Sequence, residues 1–103
     1  MIPKLKRSSR SREYDIYTEE QRRQVVKAWL FTDMTHRQID NKILKLESID
    51  SRGWQSMGIL HYLGLTKEFH GLFKDMSVME AAKEIESTGN SEYKDILKIL
   101  NML

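Results

Sequence analysis

From residue 18 onward, apolar side chains recur at every third or fourth position, the spacing of helices with one buried face. Val25, Val26, Ala28, Trp29 and Leu30 share one arc, with Glu20, Arg23, Gln24 and Lys27 opposite. Thr18 opens this run as a capping box, TEEQ, in which Gln21 stands at N3 and Glu19 and Glu20 meet the positive end of the helix dipole. The pattern predicts a helix ending near Asp33. A second helix starts at Thr35 with another capping box, THRQ, and Met34 and Ile39 stand in hydrophobic-staple positions. Its apolar residues are Ile39, Ile43, Leu44 and Leu46. After the polar link ESID, Ser51 or Asp50 is expected to cap a third helix that stops at Gly64, a C′ glycine.

The same spacing continues to the end of the chain. Thr66 to Phe73 reads as a short helix or turn carrying Phe69, Leu72 and Phe73 inward. Ser77 opens a further helix through SVME, with Val78, Ala81, Ala82 and Ile85 on one face and Gly89 as its stop. From about Ser91, Tyr93, Ile96, Leu97, Ile99, Leu100 and Leu103 form one broad arc. No segment alternates as a strand does, and no internal repeat is present. The expected fold is all-α: a compact bundle of five or six short helices. Its expected core is Val25, Trp29, Leu30, Ile39, Ile43, Met57, Leu60, Leu63, Phe73, Ile85, Ile96 and Leu100.

The third helix has a face that a core alone does not require. Ser51, Trp54, Gln55, Gly58, His61 and Tyr62 cluster on it, opposite Met57, Ile59, Leu60 and Leu63. Together with the helix before it, this makes a helix-turn-helix-like pair, although the link is several residues longer than in a compact one. In such motifs the second helix enters the major groove and its first residues meet base edges. Here those are Ser51, Arg52, Gln55 and Ser56. Arginine pairs with guanine and glutamine with adenine, while free amides at the helix start hold a phosphate. Gly58 would allow a close backbone approach. The competing expectation is that Trp54 and Tyr62 are core or near-core residues, and for Trp54 taken alone it is the stronger one.

Charge distribution sharpens the nucleic-acid reading. The net charge of +2 hides an asymmetry, because Lys4, Lys6, Arg7, Arg10 and Arg12 give residues 1–12 a charge of +5 with no acid. The other 91 residues hold 12 basic and 15 acidic side chains, or −3. Residues 1–12 therefore read as a disordered basic arm and 13–103 as a single helical domain. Such an arm releases counterions from a phosphate backbone or reaches a minor groove; the plain alternative is a solvated tail. With 40% hydrophobic and 31% charged residues, the composition is that of a soluble globular chain. The absence of cysteine excludes disulfides and thiolate metal sites. No apolar run approaches a membrane span, and no apolar stretch follows the basic N-terminus as in a secretory signal, so a cytoplasmic protein is expected.

The run SRGWQSMGILHYLGLTKEFHGLF resembles accessory helical domains that stand ahead of nuclease domains in some bacterial HNH or restriction-type endonucleases. The resemblance covers residues 18–73 and rests on Arg52-Gly53, Gln55-Ser56-Met57, Ile59-Leu60 and Leu63-Gly64-Leu65. It implies a target-binding or regulatory domain with the cutting chemistry elsewhere. Nothing in the sequence itself points to catalysis. His36, His61 and His70 have no metal-ligand spacing, and no phosphate loop, nucleophile elbow or cysteine nucleophile occurs. His36 and Asp40 lie one turn apart and are expected to be an exposed helix pair. The other carboxylates are expected on solvent faces.

The favoured expectation is thus a non-catalytic DNA-binding module without cofactor or metal. Lys4, Lys6, Arg7, Arg10 and Arg12 would lie on phosphates, and Ser51, Arg52, Trp54 and Gln55 toward the duplex. The rival is a protein-interaction or inhibitory module of phage or mobile-element type that binds a nucleic-acid-processing protein. The apolar end ILKILNML would then dock on the body or pair with a second copy as a homodimer.

Overall fold

The computed structural model describes residues 2, 3, 5 and 13–103, together with the backbone of residue 12. The chain is all-α, with no strand among the described residues. Among the described residues six α-helices follow one another: α1 (Arg12–Ile16), α2 (Glu19–Phe31), α3 (His36–Gln38), α4 (Trp54–Leu63), α5 (Val78–Ser87) and α6 (Lys94–Met102). Single 3₁₀ turns at Glu47–Ile49, Lys67–Phe69 and Ser91–Tyr93 carry the chain between them. None of these helices is long and apolar enough to cross a membrane.

Local chemistry starts three of the helices where the sequence predicts. Thr18, Thr35 and Ser77 each complete a reciprocal capping box, with Gln21, Gln38 and Glu80 at N3. The hydrogen bonds from Ser77 hold the Glu80 carboxyl below its usual range. Gly64 ends α4 in the left-handed conformation at φ 81°, with its N–H on the Leu60 and His61 carbonyls.

The second helix departs from expectation after one turn. Beyond Gln38 it widens into a π turn at Ile39–Ile43, closed by Leu44 N–H on Ile39 O at 3.1 Å. This extra residue per turn puts Ile39, Asp40 and Leu44 all inside the protein. Lys45 then turns the chain with a positive φ of 58°.

One core unites the bundle: Val25, Val26, Trp29 and Leu30 of α2 meet Ile39, Leu44, Ile59, Leu60, Leu65, Phe69 and Phe73, then Ala81, Ile85, Ile96, Ile99 and Leu100. Ile43 and Leu63 are only partly buried, and Met57 is 37% exposed. Met57 was expected inside. Instead α4 is rolled so that Ser56, Ile59 and Leu60 point inward. The apolar C-terminus docks on the body through Ile96, Ile99 and Leu100, leaving Met102 outward. At the other end, Ile2 and Leu5 pack partly buried against the core, and the first helix begins at residue 12, inside the stretch expected to be arm.

Candidate functional site

The head of α4 is assembled by a residue fourteen positions before its first turn. Gly53, the N-cap, offers no side chain to the free amides. The Asp40 carboxylate takes that role: Oδ2 accepts from Gln55 N at 3.1 Å and Oδ1 from Ser56 N at 2.7 Å. Ser51 Oγ also donates to Oδ2, at 2.5 Å. Asn41 holds the same loop by bonding both the N–H and the C=O of Ser51. Asp40 is fully buried, yet every carboxylate oxygen meets a donor and the positive end of a helix dipole. Among the described residues, no buried side-chain nitrogen or oxygen lacks a partner.

Three expectations are overturned here. The amides of Gln55 and Ser56 are occupied, so the start of α4 does not present them to a phosphate. His36 and Asp40 are not an exposed pair: Asp40 is sealed in, and His36 is half-buried. Ser51, one of the two residues expected as the cap, instead braces the Asp40 carboxylate, and the other, Asp50, accepts from Arg37 Nη2 on both carboxylate oxygens. The helix starts at Trp54 because Gly53, at φ 95°, makes the turn. A Cβ there would lie 2.7 Å from His36 Cβ and 2.8 Å from Arg37 N.

The polar–aromatic face of α4 is largely covered by the chain's own N-terminal helix. Tyr17 donates from its hydroxyl to Gln55 Oε1 at 3.0 Å. The Glu13 carboxylate lies over Gly58, where a Cβ would fall 2.6 Å from Oε2. Tyr14 packs its ring on Tyr62 at 4.4 Å. Residues 55, 58 and 62 share one side of a helix, and α1 with the Tyr17 that follows it packs on that side. Arg22 of α2 fastens α1 from behind, donating to the Tyr14 and Tyr17 carbonyls at 2.8 and 2.6 Å, with its guanidinium 4.2 Å from the Tyr14 ring. The Tyr17 hydroxyl has its pKa raised by burial, with the negative Asp40 and Glu13 adding to it.

Of the residues nominated for DNA at the head of α4, only Arg52 and Trp54 point outward. Trp54 is 72% exposed, against the expectation that it covers neighbouring helices. Met57 and His61, also exposed, continue its stripe one and two turns on. Gln55 is half-buried and engaged by Tyr17, and Ser51 is held by Asp40 and Asn41. Lys4, Lys6, Arg7 and Arg10 lie outside the described residues, as does the side chain of Arg12.

Two histidines stack on Trp29 and the third meets one of them, an arrangement that sequence spacing did not suggest. The indole is sandwiched between His36, at 4.1 Å and 17°, and His70, at 4.0 Å and 9°. His61 meets His36 edge-on at 6.4 Å. Trp29 Nε1 donates to the Thr66 carbonyl at 3.3 Å. His70 Nε2 lies 2.7 Å from the Met34 carbonyl, which only accepts, so Nε2 carries the proton. Burial, then the neighbouring His61, lowers the His36 pKa; Asp40 opposes this and His70 adds to it. Among the described residues no group of three or more His, Asp or Glu side chains could hold a metal ion.

No protein-family model matches the chain, and no curated protein or solved structure matches it.

Proposed function

We propose that this chain is a non-catalytic DNA-binding module that uses its basic N-terminal residues and the α3–α4 side of the bundle. The observation that carries this reading is the segregation of charge. Residues 1–12 hold +5, and residues 34–54 add exposed Arg37, Lys42, Lys45 and Arg52 against exposed Glu47 and Asp50. Residues 75–103, which form α5 and α6, hold six acids and three bases. A phosphate backbone is therefore attracted to one part of the molecule and repelled from another. The mode of contact differs from a helix-turn-helix. Ser51 and Gln55 are engaged within the fold and the first amides of α4 are capped, which leaves phosphate contact by Arg and Lys and surface contact by Trp54.

A salt titration tests the reading. Duplex DNA is expected to bind at about micromolar affinity in low salt, weakening steeply as salt rises. Changing Lys4, Lys6, Arg7 and Arg10 together to Gln removes up to four phosphate contacts. That should flatten the log–log salt slope by about 3 to 4, at roughly 0.9 per contact. Absence of binding to any nucleic acid at low salt sinks the proposal. A protein-binding role is the second reading, favoured by Ile49 at 70% exposure and by the outward Met57. It predicts a complex indifferent to those four substitutions but weakened by Ile49→Ser.

A further inference from the structure

We infer that Trp54 is a stacking platform for an unpaired nucleic-acid base, with Arg52 holding an adjacent phosphate. The inference rests on the nucleic-acid reading above and names the form of nucleic acid that this side of the molecule takes.

Three observations converge on it. First, apart from Arg52, the groups expected to read a base pair by its edges are unavailable: Gln55 is bonded to Tyr17, Ser51 to Asp40, and the Gln55 and Ser56 amides to the same carboxylate. Second, a large flat aromatic is left in water at the first position of α4, where burial would have been favourable. Its backbone is nevertheless held firmly. Gly53 is wedged against His36 and Arg37 on one side, and Asp40 clamps the next two amides on the other. An exposed side chain on a fixed base is preorganised for contact, because little backbone ordering remains to oppose binding.

Third, the neighbouring chemistry suits a base with its phosphate. Arg52, two residues earlier, is exposed, and Asp50, the acid nearest it in sequence, is neutralised by Arg37. An indole with a guanidinium beside it matches a π face joined to an anion, and every base offers a π face once it is unstacked. A base inside a duplex has that face covered by its neighbours, so single strands, loops or extruded bases are the matching ligands.

The test uses the full chain, an oligothymidylate of about 12 nucleotides and a duplex of the same length. Oligothymidylate is expected to quench the tryptophan emission of the native protein. Trp54→Phe should abolish that quench, leaving the buried Trp29 as an unresponsive background, while affinity stays within about threefold. Trp54→Ala should weaken single-strand binding by about 5- to 100-fold, with an unchanged far-UV spectrum and melting temperature because the ring covers no core. Equal affinity of the native protein and Trp54→Ala overturns the stacking inference but leaves DNA binding standing. So does a duplex bound more tightly than the single strand. Failure of both ligands to bind at low salt overturns the two readings together.

Discussion

Helices α4 and α5 are both ten residues long, and they solve the same problem of unpaired amides in opposite ways. In α5 the cap is local: Ser77 and Glu80 bond each other's backbone, three residues apart. In α4 the cap is tertiary: a glycine starts the helix, and a buried aspartate from the preceding π turn satisfies two amides and a hydroxyl. A local cap forms whenever its helix forms. A tertiary cap exists only when two distant segments are already in place, so α4 is an element that the fold makes rather than one that makes the fold. That difference decides both how stable each helix head is and how visible it is in the sequence.

The largest effect is expected where the tertiary cap is removed. Asp40→Ala leaves the Gln55 and Ser56 amides and the Ser51 hydroxyl without an acceptor inside the protein. At about 1–3 kcal/mol for a buried unpaired donor, and less at the half-buried Gln55 and Ser51 groups, the loss is on the order of 3–5 kcal/mol, a large share of what holds a domain of this size together. Chemical denaturation should show the midpoint falling sharply. A loss below about 1 kcal/mol would mean that water replaces the carboxylate and that the cap is dispensable.

Gly53→Ala attacks the same junction from its other side. Alanine at φ 95° is strained by about 1–2 kcal/mol, and its methyl would collide with His36 Cβ and the Arg37 backbone, neither of which is a flexible end. The combined loss should be about 2–4 kcal/mol. Because both substitutions disturb one contact, the double variant is expected to lose less than the sum. Strict additivity would show that cap and wedge are independent. Ser77→Ala, the local counterpart, should lower stability by only about 1 kcal/mol.

The contrast also explains what the sequence could disclose. Helices α2 and α5 were legible because Thr18 with Gln21 and Ser77 with Glu80 announce themselves within four residues, ahead of apolar arcs that end up buried. The head of α4 was misplaced because its cap, Asp40, is remote, and the nearer Ser51 and Asp50 fit the local rule for N-caps. One signal was available: Asp40 falls between Ile39 and Ile43 on an otherwise apolar arc, an unusual place for a solvated acid. The exposure of Trp54 and the covering of Gln55, Gly58 and Tyr62 by α1 depend on how far α4 is rolled. That roll follows from the amides seeking Asp40 and from Glu13, Tyr14 and Tyr17 packing across the helix. The stacking of His36 and His70 on Trp29, with His61 edge-on to His36, is equally non-local, since the three histidines come from α3, α4 and the loop after the Lys67–Phe69 turn.

The histidine cluster provides the gentlest way to probe the α3–α4 junction, because it can be titrated without mutation. His36 faces Trp29, His61, Asp40 and the Ser56 hydroxyl, with His70 across the indole, and its backbone carbonyl accepts from that hydroxyl at 3.1 Å. Its folded pKa lies below the ordinary histidine value because burial and the two other imidazoles disfavour the cation. Stacking on Trp29 acts the other way, through cation–π attraction. With the folded pKa depressed, the unfolded chain binds the proton more readily. The stability His36 contributes is therefore complete above about pH 6.5 and declines as pH falls toward the folded value. Between about pH 7.5 and 5, above the range where carboxylates titrate, the denaturation midpoint should fall in the native protein and fall less in His36→Gln. The α5 head, with no histidine near Ser77 in sequence, offers the control: Ser77→Ala should lower the whole curve without changing its slope. Proton NMR titration of His36 gives the direct check. A midpoint at or above 6.5 would show that the indole holds the imidazolium in place, and the junction would then tighten in acid instead of loosening.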